Sequence, residues 1–323
     1  MSVTFPPVAS PNESLRREVI DMLDSSTAGR ALGRLGSIGA WVAGVQDSPQ
    51  PQPFGRARAV VVAGNHGVAQ RGVSAWTTDA ARAQVEEIEA GGGAVNAAAR
   101  LAGAGVRLIT DYLDSPTGFI DVEPAMTPEA CEAAFEAGIA VADQEIDAGT
   151  DLIVPGDIGV ASTTVAAALY GVFTRTEPVS AIGRGSGIND EVWKVKVEAI
   201  RDAMFRVRTF RDDEARVIAE IGGPDVAFLV GLIAQSAARR TPLLIDGALT
   251  TTAALTAERM APGTRQWLIA GQVTPEPCHV GSAQALGLTP VLALDATAGQ
   301  GVGALAALPT INLAAELVAD LAS

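Results

Sequence analysis

Short apolar runs at 57–63, 106–110, 151–154, 179–182, 242–245, 266–270 and 290–294 alternate with longer alanine-rich stretches. The runs are nearly continuous in small and branched apolar residues, as expected of strands covered on both faces in a parallel sheet. The stretches at 79–90, 94–102, 128–148, 163–171, 190–205, 225–239 and 251–258 carry apolar residues at helical spacing. This alternation predicts an α/β fold with a Rossmann-like, doubly wound, mostly parallel sheet. Helical patterns at 13–46 precede the first strand, and an amphipathic helix at 310–321 follows the last. The expected organisation is a small helical domain from both chain ends, residues 1–50 and 305–323, around an α/β domain at 51–304. The charged stretch 206–221 reads as a solvated helix face and connector.

Composition sets the limits. The 323 residues are 48% hydrophobic but only 4% aromatic, which favours close helix–sheet packing through small side chains. A net charge of −14 argues against nucleic-acid or anionic-membrane partners. Cys131 and Cys278 form no CxxC pair, so neither a disulfide framework nor a metal site is expected. With no signal-peptide pattern and no uninterrupted apolar span, a cytoplasmic location is the expectation.

Glycine-rich elements fall where strands hand over to helices, the place where doubly wound folds bind ligands. Gly156-Asp157-Ile158-Gly159-Val160-Ala161-Ser162-Thr163-Thr164 is the strongest. Its glycines allow close backbone approach, and Ser162 and Thr163 open a helix whose unpaired N–H groups attract anions. Asp157 would repel phosphate and suits sugar hydroxyls or a cationic ring. Gly183-Arg184-Gly185-Ser186-Gly187 pairs a flexible loop with a cation, and Lys196 lies on the next helix. Asp246-Gly247 precedes Thr250-Thr251-Thr252. Together these predict a small phosphorylated ligand held largely by main-chain groups. His66, at the end of the first run, suits either a ligand site or a structural bond to backbone. Ser74 and Trp76 suit an aromatic-base pocket, and Trp76 equally suits ordinary packing. Asp225 reads as a helix-opening residue. Glu276 and His279, in a proline-rich stretch, fit acid–base roles or a rigid loop. Gln300, between glycines at a loop tip, is displayed as a ligand contact would be.

As a set these segments resemble the nicotinate-nucleotide–dimethylbenzimidazole phosphoribosyltransferase (CobT) family. The family's D-H-G-V-A…G-V-S-x-Y-P is matched by Asn65-His66-Gly67-Val68-Ala69…Gly72-Val73-Ser74-Ala75-Trp76-Thr77. Its G-G-A-A-I-N is matched by Gly91-Gly92-Gly93-Ala94-Val95-Asn96. Its G-E-M-G-I-G-N-T-T resembles the Gly156 to Thr164 segment. G-R-G-T-G with a following Lys resembles Gly183 to Gly187 and Lys196, and D-G-F-x-[ST]-[ST]-A-A resembles Asp246 to Ala254. The family's E-P-G-H resembles Glu276-Pro277-Cys278-His279.

The resemblance implies transfer of phosphoribose from nicotinate mononucleotide to an aromatic base, a homodimer, and no metal or redox cofactor. It puts Gln300 and Asp157 at the catalytic positions, and His66, Ser74 and Trp76 around the base. Phosphate and ribose fall to Gly156, Gly159, Ser162, Thr163, Gly183, Arg184, Gly185, Ser186, Lys196, Asp246 and Gly247. The chain departs from the family at the position of its general base, a Glu in G-E-G-T-G that is Gln300 here, which leaves as the alternative a catalytically impaired paralogue that binds nucleotide or base as a sensor or partner. The family's central Glu is Asp157, its Asn is Ser162, and its Tyr-Pro pair is Trp76-Thr77.

Overall fold

Five of the apolar runs become strands: β1 (Ala57–Ala63), β2 (Gly105–Ile109), β3 (Leu152–Ile158), β4 (Leu243–Ile245) and β5 (Leu268–Ala270). The computed structural model describes residues 3–322; residues 1, 2 and 323 of the expected terminal segments lie outside them. Every pairing is parallel, in the order β2-β1-β3-β4-β5. The central pair runs in register from Ala57↔Leu152 to Ala63↔Ile158, and all of β3 is buried. Strand order reverses between β1 and β3, the switch point beside which such sheets bind ligands.

The helices are α1 (Glu13–Ser25), α2 (Thr27–Ala31), α3 (Arg34–Gln46), α4 (Asp79–Glu89), α5 (Gly93–Ala102), α6 (Pro128–Asp147), α7 (Ser162–Thr174), α8 (Pro178–Ala181), α9 (Asp190–Val207), α10 (Glu214–Ile221), α11 (Pro224–Ala238), α12 (Ala248–Met260), α13 (Pro277–Ala285) and α14 (Val302–Leu321). Side chains alternate along β1 and divide the core. Val60 and Val62 pack with Phe135, Leu169, Phe228 and Leu249 from α6, α7, α11 and α12. Ala59, Val61 and Ala63 pack with Trp41, Val85, Ala99 and Leu308 from α3, α4, α5 and α14. Helices therefore cover both faces. Small residues bring them close: a Cβ on Gly138 of α6 would stand 2.1 Å from the Phe228 carbonyl oxygen, and one on Gly231 of α11 2.3 Å from that of Phe135.

Two expected strands are absent. Segment 179–182 falls largely in the single turn α8, because Pro178 carries a helix-ready φ into its first position. Segment 290–294 hangs on the end of β5 by two bonds, Val291 N–H to the Ala270 carbonyl and Leu292 N–H to the Gly271 carbonyl, without extending the ladder. The C-terminal helix starts at Val302, not at 310, and runs through Pro309. It is long and apolar enough to cross a bilayer, yet half of it is buried, with Leu305, Leu308 and Ile311 in the core. Segment 206–221 is less solvated than expected: α10 buries Ala215, Val217, Ile218 and Ile221.

Candidate active site

A cavity of about 730 Å³ opens beyond the carboxyl ends of β3, β4 and β5. It is the size of a small-ligand site. Two helix N-termini face it. α7 begins after Ala161 and α12 after Gly247, and no side-chain hydrogen bond caps either start. Their first N–H groups and positive dipole ends are therefore directed at the cavity. Ser162, Thr163, Ala248 and Leu249 line it there. Ala161 adopts φ of +69°, a left-handed conformation that costs a non-glycine residue about 1–2 kcal/mol. Such strain is often retained where ligands bind.

Asp157 lies between these helix starts, at the penultimate position of β3. Thr250 Oγ1 donates to its Oδ1 at 3.2 Å, and the Ser162 hydroxyl also bonds it. Burial, reinforced by the nearby charge of Asp225, pushes its carboxyl up to about 6. Gln300 is held alongside, its N–H donating to the Asp157 carbonyl at 3.2 Å. The Gly299-Gln300-Gly301 run is left-handed throughout, with φ of 66°, 59° and 74°. The flanking glycines thus serve a sharp turn pressed onto β3. Gly156 makes room for it: a Cβ there would sit 2.4 Å from the Gln300 carbonyl carbon. Gln300 Nε2 donates to Gln84 Oε1 at 2.8 Å, leaving Gln300 Oε1 buried without a partner.

On the opposite wall, Ser186 fastens two loops. Its hydroxyl pairs with Ser74 at 3.1 Å and accepts the Ala75 N–H at 2.8 Å. Ser74, Trp76, Gly185, Ser186 and Gly187 line this side, with Trp76 at the mouth and 63% exposed. Lys196 is buried behind the lining. Its Nζ donates to Thr163 Oγ1 at 3.0 Å and to the Gly183 carbonyl at 3.4 Å. Burial lowers its pKa, opposed by the charge of Glu276.

Of the residues singled out in the sequence, Ser74, Trp76, Asp157, Gly159, Ser162, Thr163, Gly185, Ser186, Gly247 and Glu276 line this one cavity. The others lie outside the lining: Gln300, expected at a displayed loop tip, is instead 6% exposed with its amide turned onto Gln84. His66 is buried behind Gly159, with Nε2 3.2 Å from Asp225 Oδ2. Burial opposes its protonation, but Asp225 overcomes that and raises its pKa. Asp246 accepts from Gln272 Nε2 at 2.6 Å and from the Gly303 N–H at 2.9 Å, tying the start of α14 to the end of β4. Gly183 leaves room for the Glu276 carboxylate. Arg184 lies outside the lining, its side chain 58% exposed and paired with Asp190 at 2.6 Å.

Gln84, Thr274, Thr297 and Ala298 line the cavity without a sequence signal of their own, and Asp225, read in the sequence only as a helix opener, is the fully buried partner of His66. The proline next to Asp225 made it look like a plain helix opener. Its real signal is Gly64, where a Cβ would come within 2.4 Å of the Asp225 carboxylate.

The family described as DBI_PRT, phosphoribosyltransferase, matches residues 8–323. Nicotinate-nucleotide–dimethylbenzimidazole phosphoribosyltransferase of Corynebacterium glutamicum strain R is 45% identical over 330 residues, covering 99% of this chain and 92% of its own. The enzyme of the same name from Mycobacterium ulcerans is 41% identical over 336 residues, covering 99% and 94%. The crystal structure of CobT from Thermus thermophilus superposes with a TM-score of 0.88 at 33% identity, covering 94% of this chain and 95% of that one. With the family matched along nearly the whole chain and its fold reproduced, this chain belongs to the DBI_PRT phosphoribosyltransferase family.

Proposed function

We propose that the chain transfers the 5-phosphoribosyl group of nicotinate mononucleotide to an aromatic nitrogen base of the dimethylbenzimidazole kind. The products are nicotinate and an α-ribotide phosphate, a step of cobalamin lower-ligand assembly. The observation that carries this reading is the convergence of two helix N-termini without side-chain caps on one cavity, with the buried carboxyl of Asp157 between them. Helix N-termini suit a phosphate, and a carboxylate suits a sugar carbon gaining positive charge.

In this mechanism Ser162, Thr163 and Ser186 cradle the phosphate, with Lys196 acting through Thr163 and Gly185 lending the ribose close approach to the loop. Gly247 and Gly159 give the backbone close approach. Ser74 and Trp76 wall the base, and His66 with Asp225 sets the field behind Asp157. The C1′–N bond to the pyridinium breaks, and its electron pair returns to the ring nitrogen, leaving neutral-ring nicotinate. Ionised Asp157 stabilises the positive charge developing at C1′. The lone pair of a neutral azole nitrogen then bonds C1′ from the opposite face. Gln300 cannot take a proton, so the acceptor attacks without prior deprotonation. The proton on its second nitrogen departs after bond formation, to Asp157 or water.

The same reading makes residues 1–50 and 305–323 a small helical domain bracing the α/β domain at 51–304. Packing of Val19, Leu23, Ala40, Ala43 and Val318 supports it. It also makes the chain a cytoplasmic homodimer, which light scattering tests directly; a fully active monomer would overturn the dimer. Incubation with nicotinate mononucleotide and a panel of benzimidazoles and purines tests the reaction. Chromatography is expected to find nicotinate and a base–ribotide adduct in equal amounts. Absence of nicotinate release with every acceptor would defeat the proposal.

A further inference from the structure

Glu276 is an anomaly at the cavity wall. It is 5% exposed and lines the cavity. Its Oε1 accepts the Gly185 N–H at 2.7 Å, while its Oε2 is buried with no partner. The carboxylate is firmly seated. A Cβ on Gly183 would stand 2.5 Å from either oxygen, so only glycine lets it lie against the loop. From below, the Glu276 N–H donates to Thr274 Oγ1 at 3.3 Å, and the Thr274 N–H donates to His279 Nδ1 at 3.1 Å. Burial pushes the His279 pKa down to about 4, so its ring is neutral and Nδ1 is free to accept. The nearest cation does not reach it: Lys196 Nζ directs two of its three donors at Thr163 and the Gly183 carbonyl, and no hydrogen bond or ion pair joins it to Glu276.

A buried acceptor without a donor is unfavourable until a ligand supplies one. A phosphate dianion has no hydrogen to give and is repelled by a carboxylate. A sugar hydroxyl has one. We infer that Glu276 reads the ribose: its Oε2 accepts the hydrogen of a ribosyl 2′- or 3′-hydroxyl whose phosphate lies in the adjacent cradle. Glu276 is thus a specificity-determining residue that separates ribosyl from deoxyribosyl ligands, an inference that rests on the nucleotide reading above.

Calorimetric binding of nicotinate mononucleotide and its 2′-deoxy and 3′-deoxy forms tests it without turnover. For the wild-type chain, at least one deoxy form is expected to bind ten- to hundredfold more weakly, the range for a charge-assisted hydrogen bond. In Glu276→Ala the parent nucleotide weakens, and its advantage over that deoxy form collapses to within about twofold. In Glu276→Asp it partly returns. Equal wild-type binding of all three nucleotides overturns the role of Glu276 and leaves the transferase reading standing. No binding of the parent nucleotide overturns both. If Glu276→Ala does not fold, Glu276→Asp carries the comparison: an unchanged preference over the deoxy form overturns the role of Glu276.

Discussion

Asp157 meets opposing demands. The proposed chemistry needs it ionised, whereas its burial favours the protonated form. Its folded pKa of about 6 lies above the ordinary 3.8, so between those values the folded chain holds a proton that the unfolded chain has released. Stability from this group is full below about pH 4 and is lost as pH rises through 6, on the order of 3 kcal/mol in all. Asp157→Asn is therefore expected to unfold at higher denaturant than wild type at pH 8. It should also lose about 10²-fold or more in kcat/KM, together with the activity limb near pH 6. A variant that keeps the limb would assign it to another group. Gln300→Glu gives the opposite test beside it. It supplies a proton acceptor where an amide now stands, and kcat with benzimidazole is expected to rise. That result would mark proton removal as the slow event in the natural chain. Most of these residues were legible in the sequence because glycines flank them. Gln84 was not, because nothing in a helical Ala-Gln-Val marks which side chain will meet an amide more than two hundred positions away.

Among the elements, β3 does the most positioning. A proline inside a central strand ordinarily argues against that strand. Here Pro155 lies beyond the single β3–β4 pair, Ile153↔Leu243, where the two strands separate. The Gly299-Gln300-Gly301 turn enters that gap. Gly156→Ala is expected to displace this turn, destabilising the fold by about 1–3 kcal/mol and lowering turnover. Intact turnover would show that the turn relaxes freely. The sequence announced β1 and β4 well, since a buried parallel strand is an apolar run of strand length, and β2 also formed although it is a half-buried edge strand. The same reasoning failed at 179–182 and 290–294, where apolar runs of the same length are buried or paired by other means. Periodicity cannot separate those cases. The start of α14 was missed because Pro309 resembled a boundary, although the helix continues through it.

At the scale of the molecule, small residues replace aromatics as the device of close packing. α3 lies so near α14 that a Cβ on Gly39 would stand 2.4 Å from the Ala314 carbonyl oxygen. Gly39→Ala is expected to lower thermal stability by about 1–3 kcal/mol with the cavity unaltered, so KM should be retained. A large KM change would mean that the helical layer and the binding loops move together. The architecture was legible because helices and strands alternate in order. Which loops would meet was not, since that depends on sheet order. The cavity takes its walls from stretches as far apart as Val73 and Gly299. A molecule seated there becomes a temporary rivet through remote parts of the polypeptide. At a hundred times its dissociation constant it would add about 2.7 kcal/mol against unfolding. Cellular abundance of this protein would then follow the supply of its own substrate.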